Sequence, residues 1–197
     1  MKLIAAILSF LVFSSIAFSL VYAQTATSPA TLRTTKLDNL TERSATREAN
    51  LKAKLLKFKD QRKAQTTERV NTNLAKVNKN RTDMMMVHLD RMSNILIRLE
   101  GRVGNITDKD TTMAKGEIAS ASATIATAKE AVASQSAKDY TIELTTETNV
   151  RRDAQASRES LHADLRSVHQ LVVDARQALS KAISETAKLG GIKNGQQ

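Results

Sequence analysis

Between Glu159 and Leu189 an apolar residue returns at every third or fourth position: Leu161, Leu165, Val168, Val172, Ala175, Leu179 and Ala182. Steps of 4, 3, 4, 3, 4 and 3 place all seven on one stripe of a helix, the seam of a helix packed against other helices. Met85, Leu89, Met92, Leu96, Leu99 and Val103 keep the same rhythm, as do Ala114, Ile118, Ala121, Ile125, Ala128 and Val132. Three such stretches predict an all-α fold. Six Gly and one Pro among 197 residues supply little material for the tight turns of a sheet protein. Aromatic residues make up 3% and Trp is absent, so the core is predicted to be Leu, Ile, Val, Met and Ala.

The order along the chain divides it into five parts. Met1 and Lys2 precede a long apolar run that ends at Val21-Tyr22-Ala23, the pattern of a cleaved signal peptide over 1–23. The run is also long enough to span a bilayer if left uncleaved, and either reading puts the remainder outside the cytoplasm, in the periplasm, the envelope or beyond. Residues 24–35, QTATSPATLRTT, read as a flexible spacer. From Lys36 to Val103 there is no Pro, and no Gly before Gly101, so propensity favours one long helix. Its first half carries Leu37, Leu40, Leu51, Leu55 and Phe58, then KDQRKAQTTER, in which Ala64 is the sole apolar residue. A helix polar all round projects into solvent, so 36–74 is expected to stand out as a basic arm.

Gly104-Asn105 marks a helix stop, and Asp108, Asp110, Thr111 and Thr112 offer N-caps for a second helix over about 112–137. KDYTIELTTET, residues 138–148, is rich in β-branched Thr and Ile and reads as a linker or kink. A third helix is predicted from about Glu147 to Leu189, stopped by Gly190-Gly191, with 190–197 a disordered tail. Short connections favour an up-down-up three-helix bundle over 75–189. The alternative is a long bent helical hairpin, disfavoured because 59–69 gives the third helix little apolar surface to cover.

No residue pattern points to catalysis. The absence of Cys excludes a disulfide framework, a zinc ribbon and thiol chemistry. His162 and His169 are seven apart on one helix, about 10 Å along its axis, too far to share a metal. Glu159-x-x-His162 has the spacing of di-iron bundles, but the second such motif and the two further Glu are missing. There is no Gly-x-Ser-x-Gly elbow, and glycines are too few for a phosphate-cradling loop. Met85 of the Met84–Met86 run falls on the seam, which favours core packing over a soft binding surface. No metal, no cofactor and no enzymatic activity are expected.

Charge is the informative feature. Between Arg33 and Arg81 stand 14 Lys or Arg against five Asp or Glu, a net of +9, whereas 82–197 balances to zero. Lys52, Lys54, Lys57, Lys59, Arg62 and Lys63 crowd one short stretch. The plain reading is a solubilising face; the functional one is attraction to an anionic membrane surface, cell-wall polymer or nucleic acid. Phe58 is the sole aromatic of the arm, so base stacking is poorly served and nucleic acid is the weaker candidate.

In the order of signal peptide, Lys/Arg-rich helix, HLDRMSNILIRLEGRVG, the Ala-rich GEIASASATIATAKEAV, the break at Tyr140 and ESLHADLRSVHQLVVDARQAL, the chain resembles a loose group of exported, coiled-coil-like helical proteins of small-genome candidate-phylum bacteria. The resemblance covers about 70–185 and implies a helical fold; the group has no established activity, so no residue roles follow from it. The leading functional expectation is a non-enzymatic structural or interaction protein of the envelope whose basic arm meets an anionic surface. A periplasmic-type holdase chaperone is the alternative, by likeness of charge, size and compartment, and extracellular nucleic-acid binding is the third. A stripe left uncovered beyond Ala175 would invite homo-oligomers.

Overall fold

A computed structural model of the chain describes residues 29–190; the signal-peptide expectation for 1–23, the start of the spacer and the tail from 191 lie outside the described residues. Four helices follow in order: α1 (Pro29–Leu55), α2 (Gln61–Gly104), α3 (Thr112–Ser136) and α4 (Val150–Gly190). Among the described residues there is no strand and no helix long and apolar enough to cross a membrane. The fold is all-α, as the three seams require.

α2 and α3 form an antiparallel hairpin across 105–111. α4 then runs parallel to α2. Its first turns line the same cleft as the first turns of α2, and the carbonyl of Leu189 near its end accepts from Lys109 Nζ in the hairpin turn. At 1.5 Å per residue, α2 is about 66 Å long and α4 about 61 Å, but α3 only about 37 Å. The non-helical segment 137–149 makes up the difference. It continues in the direction of α3 and delivers the chain to the start of α4.

The three seams meet as expected. Every residue of the Leu161, Met85 and Ala114 series is buried, with Leu89, Ala121, Ala128, Ala175 and Ala182 fully enclosed. Alanine at the contact lets the α3 backbone come close to α2 and α4, while Ile118, Ile125 and Val132 fill the spaces between. The α2 helix stops at Gly104, yet without a left-handed residue: Asn105 sits at φ −87°, ψ −2°. At the N-terminus of α3, Asp110 accepts from the Thr112 amide at 2.9 Å, and the Thr112 hydroxyl, then this amide, hold its carboxyl below the usual value.

The arm is where expectation and structure part. The helix over 36–103 is interrupted at 56–60, where Asp60 caps α2 by accepting from the amides of Arg62 and Lys63 at 3.0 and 3.2 Å. α1 folds back from this elbow, and its helix already begins at Pro29, inside the stretch read as spacer. Residues 61–74 do not project. Ala64, Thr67, Asn71 and Leu74 carry the α2 seam to its first turns, so the bundle begins near 61 rather than 75.

The 137–149 segment explains how such polar residues are buried. Tyr140, Ile142 and Leu144 point inward while Glu143 is exposed, the two-residue period of an extended chain. An unpaired backbone inside a bundle must find hydrogen bonds, and side chains of three helices supply them. Asn71 Oδ1 accepts from the Ile142 amide at 2.9 Å, Lys54 Nζ donates to the Leu144 carbonyl at 2.8 Å, and Asp153 accepts from the Thr145 amide at 2.8 Å. Leu51, Leu55 and Phe58 belong to the same buried core as Ile142 and Leu144. α1 is therefore held against the bundle largely through the segment.

Candidate anionic-surface site

The six cations singled out in the sequence sit around the elbow. Lys52 and Lys54 lie in the last turn of α1, Lys57 and Lys59 in the connector, and Arg62 and Lys63 in the first turn of α2, all exposed. Of these, Lys54 is tied to the Leu144 carbonyl. Lys52, Lys57, Lys59 and Arg62 form no ion pair among the described residues.

The fold adds cations that sequence proximity could not reveal. Arg62 and Lys63 share with Arg151 and Arg158 of α4 an open cleft of about 680 Å³, floored by Thr67, Val70, Val150 and Ala154. Arg151 and Arg158 are seven residues apart and so on one helix face. The readable signal was the Arg151-Arg152 doublet opening the third helix; what could not be read was that α4 starts beside the elbow.

Three of the carboxylates here are occupied by the backbone; Glu159, which also lines the cleft, is exposed and accepts from Gln155 Nε2 at 2.8 Å. Glu147 accepts from the amides of Asp60 at 2.9 Å and Lys59 at 3.1 Å, and these two bonds, with Lys63 nearby, hold its carboxyl below the ordinary value. Asp153 is buried and accepts from both the amide and hydroxyl of Thr145 at 2.8 Å, which depresses its pKa, with Arg152 and Lys54 adding to the effect. Asp60 caps α2. Glu147, Asp153 and Asp60 thus fix the geometry of the elbow, and the side chains of Lys52, Lys57, Lys59, Arg62 and Lys63 around it are exposed, Lys54 being tied to Leu144.

A second polar cluster lies at the level where α3 ends. Asn78 Nδ2 donates to the carbonyls of Gln135 and Lys138, and Gln135 Nε2 donates to Asn78 Oδ1 at 3.0 Å and to the Tyr140 hydroxyl at 2.6 Å. Tyr140 in turn donates to Asp164 at 2.6 Å, and Lys138 pairs with the same carboxylate at 2.9 Å. Burial, then the bond to Asp164, pushes the Tyr140 phenol well above its usual value; the bond from Tyr140, then Lys138, lowers Asp164. These groups lock the helix-to-segment transition in place. Gln135 Oε1 is buried without a partner.

His88, His162 and His169 are all exposed, and among the described residues no three His, Asp or Glu side chains gather to hold a metal ion. Met85 is buried and Met86 half-buried, but Met84 is 54% exposed. Comparison with protein-family models, curated proteins and solved structures gives no match.

Proposed function

We propose that the chain is a non-enzymatic, exported helical protein of the cell envelope whose elbow end binds an anionic surface or polymer. One observation carries the reading: Asp60, Glu147 and Asp153 at that end are engaged by backbone amides, while Lys52, Lys57, Lys59, Arg62, Lys63, Arg151 and Arg158 are left to act outward from three helix ends, with Glu159 the one other acid lining the cleft. A solubilising face needs no such gathering, since scattered charge serves as well.

The test is co-sedimentation with anionic vesicles, purified cell wall and DNA at low and physiological salt. Deleting the whole arm is unsuitable, because Ala64 and Thr67 are core residues. The combined exchange Lys57→Glu, Lys59→Glu and Arg62→Glu leaves the core intact. Near an anionic surface each cation is worth about 1 kcal/mol, so three reversals are expected to weaken binding by at least about a hundredfold. Failure of the unaltered chain to bind any of the three targets at low salt overturns the proposal.

A holdase role has its own support in α2, whose outer side exposes Val77, Met84, Val87 and Ile95. Apolar residues held outward suit a chaperone that shields unfolded clients. Its check is suppression of client aggregation, lost in Met84→Glu with Ile95→Glu.

A further inference from the structure

The elbow carries an apolar residue that an anionic polymer has no use for. Leu56 is 83% exposed, the most exposed of the large hydrophobic residues described. Its neighbours in the chain turn inward: Leu55 and Phe58 are buried, and the backbone bonds Leu56 N to Lys52 O, Lys57 N to Lys54 O and Phe58 N to Leu55 O, each 3.1 Å, close the turn tightly. Burying Leu55 and Phe58 through these bonds forces Leu56 to the outside. The elbow itself is held firm, because Glu147 binds the amides of both Lys59 and Asp60. Leu56 thus stands on a fixed turn with Lys52, Lys57 and Lys59 around it, all exposed.

We propose that the elbow docks on anionic lipid, with Leu56 entering the acyl boundary while Lys52, Lys57 and Lys59 engage headgroup phosphates. The inference rests on the anionic-surface reading above and narrows it. Phosphate and carboxylate groups on wall polymer or nucleic acid satisfy the lysines but leave Leu56 in water. A bilayer offers both parts at the right depth: anions at its surface, and hydrocarbon within several ångströms below. Lysine also suits this arrangement, since its long stem lets the ammonium reach the headgroups while the turn settles deeper. The cleft between α2 and α4, with Arg62, Lys63, Arg151 and Arg158, lies at the same end and adds charge without needing to insert.

The chain contains no Trp, so Leu56→Trp introduces a single reporter at the site of interest. Mixed with vesicles of phosphatidylglycerol and phosphatidylcholine, this variant is expected to shift its emission to the blue and to be quenched by brominated acyl chains. Neutral phosphatidylcholine vesicles and a DNA oligomer should leave the emission unchanged. In parallel, Leu56→Ser should weaken binding to anionic vesicles about tenfold, the loss for withdrawing one leucine side chain from hydrocarbon. Its affinity for the DNA oligomer should not change. Lys57→Glu with Lys59→Glu should weaken both. Because Leu56 is so largely exposed, circular dichroism and melting of these variants should match the parent. Vesicle binding that is lost on charge reversal, but with unshifted Trp emission and full affinity for Leu56→Ser, overturns lipid insertion and leaves the anionic-surface reading standing. No binding to any anionic target removes both.

Discussion

Where α2 faces α3, its inward residues are Met85, Leu89, Met92, Leu96, Leu99 and Val103; where it faces the 137–149 segment, they are Ala64, Thr67, Asn71, Leu74 and Asn78. The two halves of one helix solve different packing problems. The apolar half meets another helix, whose backbone is already hydrogen-bonded, and needs only shape and hydrocarbon. The polar half meets an extended chain with open amides and carbonyls, and must offer donors and acceptors at fixed heights. Asn71 and Asn78 are spaced seven residues apart and serve Ile142 and Lys138 respectively. Thr67 and Thr82, one turn outside them on either side, return their hydroxyls to carbonyls four residues back and so remain buried at little cost. The seam also slips here: buried positions 74, 78 and 82 are separated by two consecutive steps of four, a stutter that locally unwinds a supercoil.

The halves should therefore break differently. The largest effect is expected for Leu89→Ala in the apolar half, where truncation of a fully enclosed side chain costs about 3 kcal/mol and should lower the urea midpoint of the entire bundle. Asn71→Ala in the polar half strips the Ile142 amide of its partner and should cost about 2 kcal/mol, with a localised signature. Amide exchange should accelerate over 137–149 while α3 stays protected. Equal acceleration in both regions would show that the halves unfold as one unit.

Acid separates them more gently. Asp153, Asp164 and Glu147 all titrate below their ordinary values, each for hydrogen bonds made by or next to the segment. Their native pKa values are depressed, so the stabilisation is fully present above the ordinary carboxylate range, near 4, and is lost as pH falls through the lower folded values. Exchange over 137–149 should rise first on acidification, followed by NMR from pH 5 to pH 2, since these three carboxylates hold the segment, whereas the α2–α3 seam is apolar with the partly exposed Asp90–Lys129 pair at its edge. Tyr140 acts at the other extreme: its raised pKa makes the phenol's contribution complete below pH 10 and lost as pH climbs from there. The smallest effect should come from Arg47→Ala. This removes pairs with Asp139, at 3.3 Å, and Glu143 on the outer side of the segment, and should cost less than about 1 kcal/mol in urea unfolding because Arg47 and Glu143 are well exposed.

The contrast also explains what could be read from the sequence. The apolar seams were legible because Leu, Ile, Val and Ala at steps of three and four have one meaning: α3 and α4 lie within a few residues of their expected ends, and α2 stops where expected although it starts at Gln61 rather than near 36. Ala64, Thr67, Asn71 and Asn78 keep the same spacing, but a pattern sought in apolar residues passes over Thr and Asn. Their role depends on Ile142 and Lys138, about 60 to 70 residues away. The break at 56–60 was hidden for a related reason: LLKFKDQ holds no Gly or Pro, and the turn is made by Asp60 as a cap and by Glu147 from a distant part of the chain. Of the candidate site, the six cations of the arm were visible; the contribution of Arg151 and Arg158 awaited the knowledge that α4 begins beside them.

That α2 and α4 run parallel has an electrical consequence. Peptide dipoles add along a helix to leave roughly half a positive charge at its N-terminus and half a negative charge at its C-terminus. In an ordinary antiparallel pair these cancel from end to end. Here both long helices point their N-termini at the elbow, and the shorter α1, which ends there, and α3 oppose them over only part of their length. The rod is thus a permanent dipole whose positive pole coincides with its lysines and arginines. A negatively charged plane such as the one proposed would exert a torque on it before contact, turning the elbow toward the plane and the apolar half of the bundle away.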